Sequence, residues 1–282
     1  MRIFITGATG AIGQRLVPQL KERGHELVAS VRSTAKADWL RALGVQSIIL
    51  DLLDPAAVRL AVGAARPDAI IHEATALSGV TNLKHFDRRF ALTNELRTRA
   101  TDHLVSAARA SGVRKVVAQS YTGWPYGRGG ALIKTEDDPL DPYPLPSMRE
   151  SLEAIKHLEH TVVGAGGIAL RYGAFYGAPD DPILAAVRKR MFPVVGDGGG
   201  VWSWLHLEDA AAATVLAVER GSERDRRRCR HCESSPCPRA PGAAADHAPA
   251  CCVAARVLST RSTPRSGASC RYDSTNPRRQ VG

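Results

Sequence analysis

Met1-Arg2-Ile3-Phe4-Ile5-Thr6-Gly7-Ala8-Thr9-Gly10-Ala11-Ile12-Gly13 is the stretch on which the fold turns. Ile3, Phe4, Ile5 and the Thr6 methyl make a short apolar run that suits a buried parallel strand. Gly7 to Gly10 reads as a turn and Ala11 to Arg23 as a helix. Strand, glycine turn and helix together aim backbone N–H groups and a helix N-terminus at a phosphate. Gly7 permits the tight turn, Gly10 lets a pyrophosphate approach, and Gly13 lets the helix lie close to the strand. The spacing is G-x-x-G-x-x-G, and no Lys-Ser or Lys-Thr follows, which excludes a P-loop. The reading is a nucleotide site; a purely structural turn is the alternative.

The pattern repeats outward from this stretch. Pro18 sits inside the first helix and leaves the Gln14 carbonyl without its helical donor, which predicts a kink. Gly24 ends the helix, and His25–Val31 reads as strand two. That strand runs out into Ser30-Val31-Arg32-Ser33. No acid is there to hold the ribose hydroxyls of NAD, and Arg32 suits a 2′-phosphate, so NADP is expected, with NAD as the alternative. An ordinary surface arginine is the other reading of Arg32.

Further along, Asp38–Leu43 reads as a short helix and Val45–Leu50 as strand three, ending at Asp51. Asp54-Pro55 opens a helix with an N-cap and a proline at its first position. Ala69–His72 is strand four, and Thr81–Phe90 is a polar stretch of open form. Thr93–Ser111 reads as a long amphipathic helix with Leu96, Leu104, Val105 and Ala108 inward. Val113–Gln119 is strand five, residues 121–147 a long functional loop, Met148–Val163 a helix, Gly167–Arg171 strand six, and His206–Arg220 the last helix. Strands alternating with helices imply an α/β fold with a doubly wound parallel sheet, whose ligands bind beyond the carboxyl ends of the strands.

Length and composition agree. A chain of 282 residues fits one large α/β domain or a domain with an appendage. Hydrophobic content of 44% and charged content of 23% are those of a globular chain. No apolar run is long enough to span a membrane, and the N-terminus enters a strand at once, so a cytoplasmic protein without a membrane partner is expected. The net charge of +10 is concentrated: residues 221–282 hold 12 Arg and 5 acids. With that tail set aside, the charge gives no reason to expect nucleic acid. All six cysteines also lie in the tail, and no metal is expected in the body of the chain.

Residues 1–220 resemble the short-chain dehydrogenase/reductase superfamily, in its extended or atypical NAD(P)-dependent epimerase/dehydratase branch. The resemblance is carried by seven features in order. These are Thr6 to Gly13; Asp51-Leu52; Ile70-Ile71-His72-Glu73-Ala74; Asn94; Ser120 to Gly127; Leu170-Arg171-Tyr172 with Tyr176-Gly177; and Leu205 to Ala211. It implies a Rossmann fold and an oxidoreductase or epimerase acting on a small carbonyl compound or nucleotide sugar. Gly7, Thr9, Gly10, Ala11, Ile12 and Gly13 would then line the pyrophosphate. Asp51 and Leu52 would hold the adenine, Glu73, Ala74 and Thr75 would lie along the ribose, and Tyr172 to Phe175 would flank the nicotinamide carboxamide. His206 and Asp209 match the segment that closes the substrate side; Asp209 as a helix cap is the alternative. The resemblance also implies a homodimer through the helices at Thr93–Ser111 and Met148–Val163.

One part of the family pattern is missing. Its chemistry uses a Tyr with a Lys four residues later, the cation lowering the phenol pKa for proton transfer. No Tyr-x-x-x-Lys occurs here. Aligned on Glu159, the two positions are Ser151 and Ile155; aligned on Lys156, the Tyr position is Leu152. The remaining catalytic candidates are Thr122, four residues before Tyr126-Gly127, then Ser120 and Tyr126. Tyr121 and Tyr143 are further phenols in the same region. A non-catalytic cofactor sensor of the same fold is therefore the alternative function.

Three units are expected. Residues 1–172 form the NAD(P)-binding domain, 173–220 a partial substrate-side region, and 221–282 a basic tail rich in Cys, Arg and Pro. The tail has abundant Arg, no Lys and almost no apolar periodicity, which is what GC-rich DNA encodes out of frame. A frameshift near residue 221 is the reading, with a natural disordered tail as the alternative. A zinc site on Cys229, Cys232 and Cys237 lacks a second well-spaced pair.

Overall fold

The computed structural model describes residues 1–77, 85–127, 129–131, 133–178, 181–191 and 202–221, and the backbone of 256–258. Strands β1 (Arg2–Thr6), β2 (Glu26–Val31), β3 (Gln46–Ile49), β4 (Ala69–His72), β5 (Lys115–Tyr121) and β6 (Ile168–Tyr172) form one parallel sheet. Two short strands, β7 (Ala174–Tyr176) and β8 (Trp204–His206), pair in parallel apart from it, and β9 (Arg256–Leu258) lies antiparallel on β6. The order in the main sheet is β3-β2-β1-β4-β5-β6-β9. The chain winds outward from β1 to β3, then crosses back to β4 on the other side of β1. The crevice between the carboxyl ends of β1 and β4 is therefore the point where the winding reverses.

The two faces of β1 explain the sheet's double cover. Ile3 and Ile5 point into one core and Phe4 into the other, all fully buried. The first core takes Leu16, Val17 and Leu20 of helix α1 (Gly13–Glu22), Leu40 of α2 (Thr34–Ala42) and Val215 and Val218 of the C-terminal helix Leu207–Arg220. The second takes Val58 and Val62 of α3 (Pro55–Ala65), Leu104 and Val105 of the long helix after β4, and Leu158 and Val162 of Arg149–Gly164. Asp54 caps α3 as its sequence predicts, its side chain accepting from the N–H groups of Ala56 and Ala57.

The helix after β4 departs from expectation. It starts at Phe86, inside the stretch of open form, as α4 (Phe86–Glu95) and ends as α5 (Thr101–Ala110). Between them Leu96–Ala100 is a π-helical turn. The Leu96 carbonyl accepts from His72 Nε2 at 3.2 Å and from Thr101 Oγ1 at 3.3 Å. Side-chain donors on that carbonyl give the widened turn a local cause. The remaining helices are α6 (Arg149–Gly164), α7 (Pro182–Arg188) and α8 (Leu207–Arg220). Apart from β9 and Gly221, the expectations for residues 221–282 fall outside the described residues.

Candidate functional site

The turn after β1 is built against the end of β4. Gly7 has φ +84°, and a Cβ there would lie 2.5 Å from the carbonyl carbon and oxygen of Glu73. A Cβ on Gly13 would lie 2.3 Å from the Gly7 oxygen, so Gly13 lets the helix start settle on the turn itself. Gly10 is different. Its N–H donates to the Gly7 carbonyl at 2.9 Å, it is exposed, and a Cβ would meet only that oxygen, at 3.2 Å. The first turn of α1 has neither a capping side chain nor an acid. A helix N-terminus with unspent N–H groups, reached over an exposed glycine, fits a diphosphate. Thr9 and Ala11 border this surface, half-buried and exposed respectively, while the Ile12 side chain turns into the core.

At the next strand ends, Arg32 and Ser33 are exposed beyond β2, and Asp51 is exposed beyond β3. One Asp51 oxygen, Oδ1, accepts from the Leu53 N–H at 2.9 Å. Leu52 is buried, and its carbonyl bonds His103. Asp51 thus presents one remaining carboxylate oxygen at the surface, and Leu52 shapes the strand end from below.

Beyond β4 two side chains turn inward. His72 is buried, with Nδ1 2.7 Å from Thr6 Oγ1 and Nε2 3.2 Å from the Leu96 carbonyl. Burial lowers its pKa to about 4, so the neutral ring donates from Nε2 and accepts the Thr6 hydroxyl at Nδ1. Glu73 is buried, and Thr214 Oγ1 donates to it at 3.3 Å. Its Oε2 has no partner, and burial raises its pKa to about 8. Glu73 borders the crevice with its backbone, which abuts Gly7, while its carboxyl group points at Thr214. Ala74 and Thr75 remain half-buried at the crevice. Tyr172 also turns inward. Its side chain is fully buried, and its hydroxyl donates to the Ala210 carbonyl at 3.1 Å and lies 2.6 Å from Thr214 Oγ1. β-Strand alternation sends its side chain into the core.

Glu73 and His72 make opposite contributions to acid and base stability. The raised Glu73 pKa means the folded protein holds a proton that the unfolded chain releases, so stability falls as pH rises from about 4.5 to about 8. The lowered His72 pKa means stability falls as pH drops from about 6.5 to about 4. The two slopes oppose one another where they overlap. From pH 6.5 to 8 the Glu73 loss should stand alone, and Glu73→Gln should flatten it. Urea unfolding across that range checks this; an equal slope in the variant would remove Glu73 as its source.

At the end of β5, Ser120 and Tyr126 belong to a buried network. Ser120 Oγ donates to Glu159 Oε1 at 2.6 Å. Arg171 grips the same carboxylate with Nε at 2.7 Å and Nη2 at 2.8 Å, and donates from Nη1 to Tyr126 Oη at 2.8 Å. Its guanidinium also lies 5.2 Å from the Tyr126 ring centroid. Ser120 thus donates its proton to Glu159, and Tyr126 Oη accepts from Arg171. Thr122 stands apart. Its side chain is buried and its Oγ1 has no hydrogen-bond partner.

Neither alignment of the family's Tyr and Lys finds an acid–base pair: aligned on Glu159 the positions are Ser151 and Ile155, and aligned on Lys156 the Tyr position is Leu152, a buried core side chain. Ser151 is buried; its N–H and Oγ both donate to Asp87 Oδ1, at 3.0 and 2.6 Å, and Asn94 Nδ2 donates to its Oγ at 3.0 Å. Ile155, one turn on, is a core side chain. A second residue facing this region went unread in the sequence. Arg97, in the π turn, is buried, and its Nη1 has no hydrogen-bond partner. Its signal was its place three residues after Asn94, beside Leu96, on the stripe of a helix that should be apolar. Among the described residues no cluster of His, Cys, Asp or Glu could hold a metal ion. No helix there is long and apolar enough to cross a membrane.

Residues 3–228 match the profile of the NAD dependent epimerase/dehydratase family. A 3-diazoavenalumate denitrifying reductase from a Streptomyces species is 39% identical over 229 residues, which cover 78% of this chain and 72% of that protein. A 2-alkyl-3-oxoalkanoate reductase from Stenotrophomonas maltophilia is 29% identical over 233 residues, covering 78% and 66%. The crystal structure of a UDP-glucose 4-epimerase from Thermus thermophilus, in complex with NAD, has a TM-score of 0.59 and 26% identity, covering 78% of this chain and 75% of that one.

Proposed function

We propose that this chain, which belongs to the NAD dependent epimerase/dehydratase family, is an NAD(P)H-dependent reductase of a small molecule whose reduction needs no phenol acid. The observation that carries this reading is the contrast between two places. The glycine cradle is intact, whereas no Tyr-x-x-x-Lys occurs, and the aligned positions hold Ser151 and Ile155, or Leu152 at the Tyr position in the alignment on Lys156. Bound over the cradle, the reduced nicotinamide would supply a hydride. Gly7, Gly10, Ala11 and the start of α1 would hold its diphosphate, and Asp51 would accept from the adenine. Thr122, the one catalytic candidate with an uncommitted hydroxyl, would orient the acceptor.

Carbonyl reduction generates an alkoxide that must take up a proton, which is the role of the absent phenol. Displacement of dinitrogen by hydride leaves a neutral product and no alkoxide. The 39% identical relative is, by its name, a denitrifying reductase of a diazo compound. That kinship favours an aryl diazo or diazonium acceptor over the carbonyl compounds and nucleotide sugars the family pattern alone implies. Loss of the reduced-nicotinamide absorbance, followed with aryl diazo compounds and matched ketones, tests the reading. Turnover of the diazo compounds and not the ketones supports it. Cofactor binding without turnover of either class favours the second reading, a sensor, which the same substitutions at 151 and 155 support.

NADP is the cofactor we favour, because Arg32 is exposed where the adenine ribose of the bound dinucleotide would lie. Arg32→Ala should weaken NADPH binding about tenfold, on the order of one charge-assisted hydrogen bond, and leave NADH unchanged. Equal effects on the two cofactors in calorimetric titration would remove that assignment.

A further inference from the structure

Arg97 is a buried cation without a counterpart. It is 7% exposed, and its Nη1 is enclosed with no acceptor. Among the described residues it forms no ion pair. Glu159 is the nearby acid whose field it feels, but both Glu159 oxygens are taken: Oε1 by Ser120 and Arg171 Nε, Oε2 by Arg171 Nη2. A buried guanidinium left in this state is costly, and a fold keeps one where something else completes it. Two further buried polar atoms in this part of the molecule also lack partners, Asn94 Oδ1 on the preceding turn and Thr122 Oγ1 after β5. Arg97 also feels the Tyr121 phenol, next to Thr122.

Aromatic rings run through the same region. Tyr121 and Trp124 have centroids 6.4 Å apart, Trp124 meets Phe86 edge-on at 5.4 Å, and Phe86 stacks on Phe90 at 4.0 Å. Phe86 and Phe90 belong to α4, the helix that leads into the Arg97 turn. The diphosphate cradle is two strands away, at β1, so the cofactor's own phosphates do not account for Arg97.

We propose that Arg97 receives the carboxylate of a planar aromatic acid, which stacks against Tyr121 and Trp124 and hydrogen-bonds Thr122. This assigns the acceptor of the proposed reductase to the aromatic carboxylic acids and rests on that reading for its chemistry, though not for its test. A carboxylate satisfies the guanidinium fork with paired charge-assisted bonds. It supplies the anion that the chain itself withholds. The ring would then lie flat on half-buried aromatic faces.

The test is calorimetric titration of the full chain, loaded with oxidised cofactor, with cinnamate, cinnamamide, cyclohexanecarboxylate and inorganic phosphate. No turnover is needed, so a failed reductase assay leaves the result intact. Cinnamate should bind at least tenfold more tightly than cinnamamide and than cyclohexanecarboxylate. Arg97→Met should abolish the preference for acid over amide, and Arg97→Lys should keep part of it. In the absence of ligand, Arg97→Met should also melt higher than the parent, since it removes an uncompensated charge. Equal binding of acid and amide by the parent chain overturns the proposal, as does an undiminished preference in a folded Arg97→Met. Phosphate binding as tightly as cinnamate overturns the carboxylate assignment. If Arg97→Met does not fold, the acid-against-amide comparison on the parent chain decides alone.

Discussion

Gly7→Ala is expected to lose NAD(P)H binding by at least about 100-fold, near 2.7 kcal/mol, and to lose about 3 kcal/mol of stability. Two independent constraints meet at this residue. Its φ of +84° is one that L side chains rarely adopt, and a Cβ would stand 2.5 Å from backbone atoms of Glu73. No side chain can swing aside to relieve the second, because the obstruction is the end of β4 itself. The turn and the β1–β4 crevice would have to open together. Gly10→Ala provides the contrast. Its Cβ meets only the Gly7 oxygen at 3.2 Å, so folding should change by about 1 kcal/mol or less. Cofactor affinity should still fall about tenfold, because the methyl lies in the approach of the diphosphate. Urea unfolding and cofactor titration on both variants separate the two effects. A Gly7→Ala protein with parental stability and affinity would refute the cradle.

The second large effect is expected at Glu159. Glu159→Gln should destabilise the fold by about 3–5 kcal/mol, the usual cost of breaking a buried ion pair by removing one partner. The carboxylate is bound by Ser120 and by both arms of Arg171, and it is also the acid nearest in effect to Arg97. Removing its charge leaves the Arg171 guanidinium buried without its anion, near a second buried guanidinium, Arg97. Total stability of a domain is typically about 5–15 kcal/mol, so about a fifth or more of it is at stake. Equilibrium unfolding in urea measures the loss; a shift below about 1 kcal/mol would mean that solvent reaches the pair.

The sequence was most legible where the structural demand is local. The turn at Gly7 to Gly13 needs particular backbone angles and close approaches, which glycine alone meets. Asp54-Pro55 likewise carries its own cap. That the six strands form a parallel, doubly wound sheet followed from their rhythm with helices. Legibility failed where a side chain's partner is distant in the chain. Nothing near Ser120 announces that Glu159, 39 residues on, will take its hydroxyl. Nothing near Tyr126 announces Arg171, 45 residues on. The family pattern pointed to the strand-end segments, but it could not say which way the Glu73 and Tyr172 side chains face. That is decided by Thr214, supplied by the last helix. Arg97 was overlooked because an arginine on a helix is ordinarily solvated. Only the packing of α6 against this turn makes it an exception.

The widened turn at Leu96–Ala100 has a consequence for how this chain tolerates insertions and deletions. Each residue of an α-helix advances the side chains by about 100°, so one residue more or fewer rephases everything beyond it. The wide turn absorbs such a residue and lets Asn94 and Arg97 face α6 while Leu104 and Val105 keep their place in the core. Deleting one residue here would restore a regular helix and keep the fold's composition. It would also swing one half against the other, forcing either the core stripe or the Asn94–Arg97 edge out of alignment. The turn is thus a phase adjuster between two helical surfaces that have separate obligations, one to the sheet and one to α6.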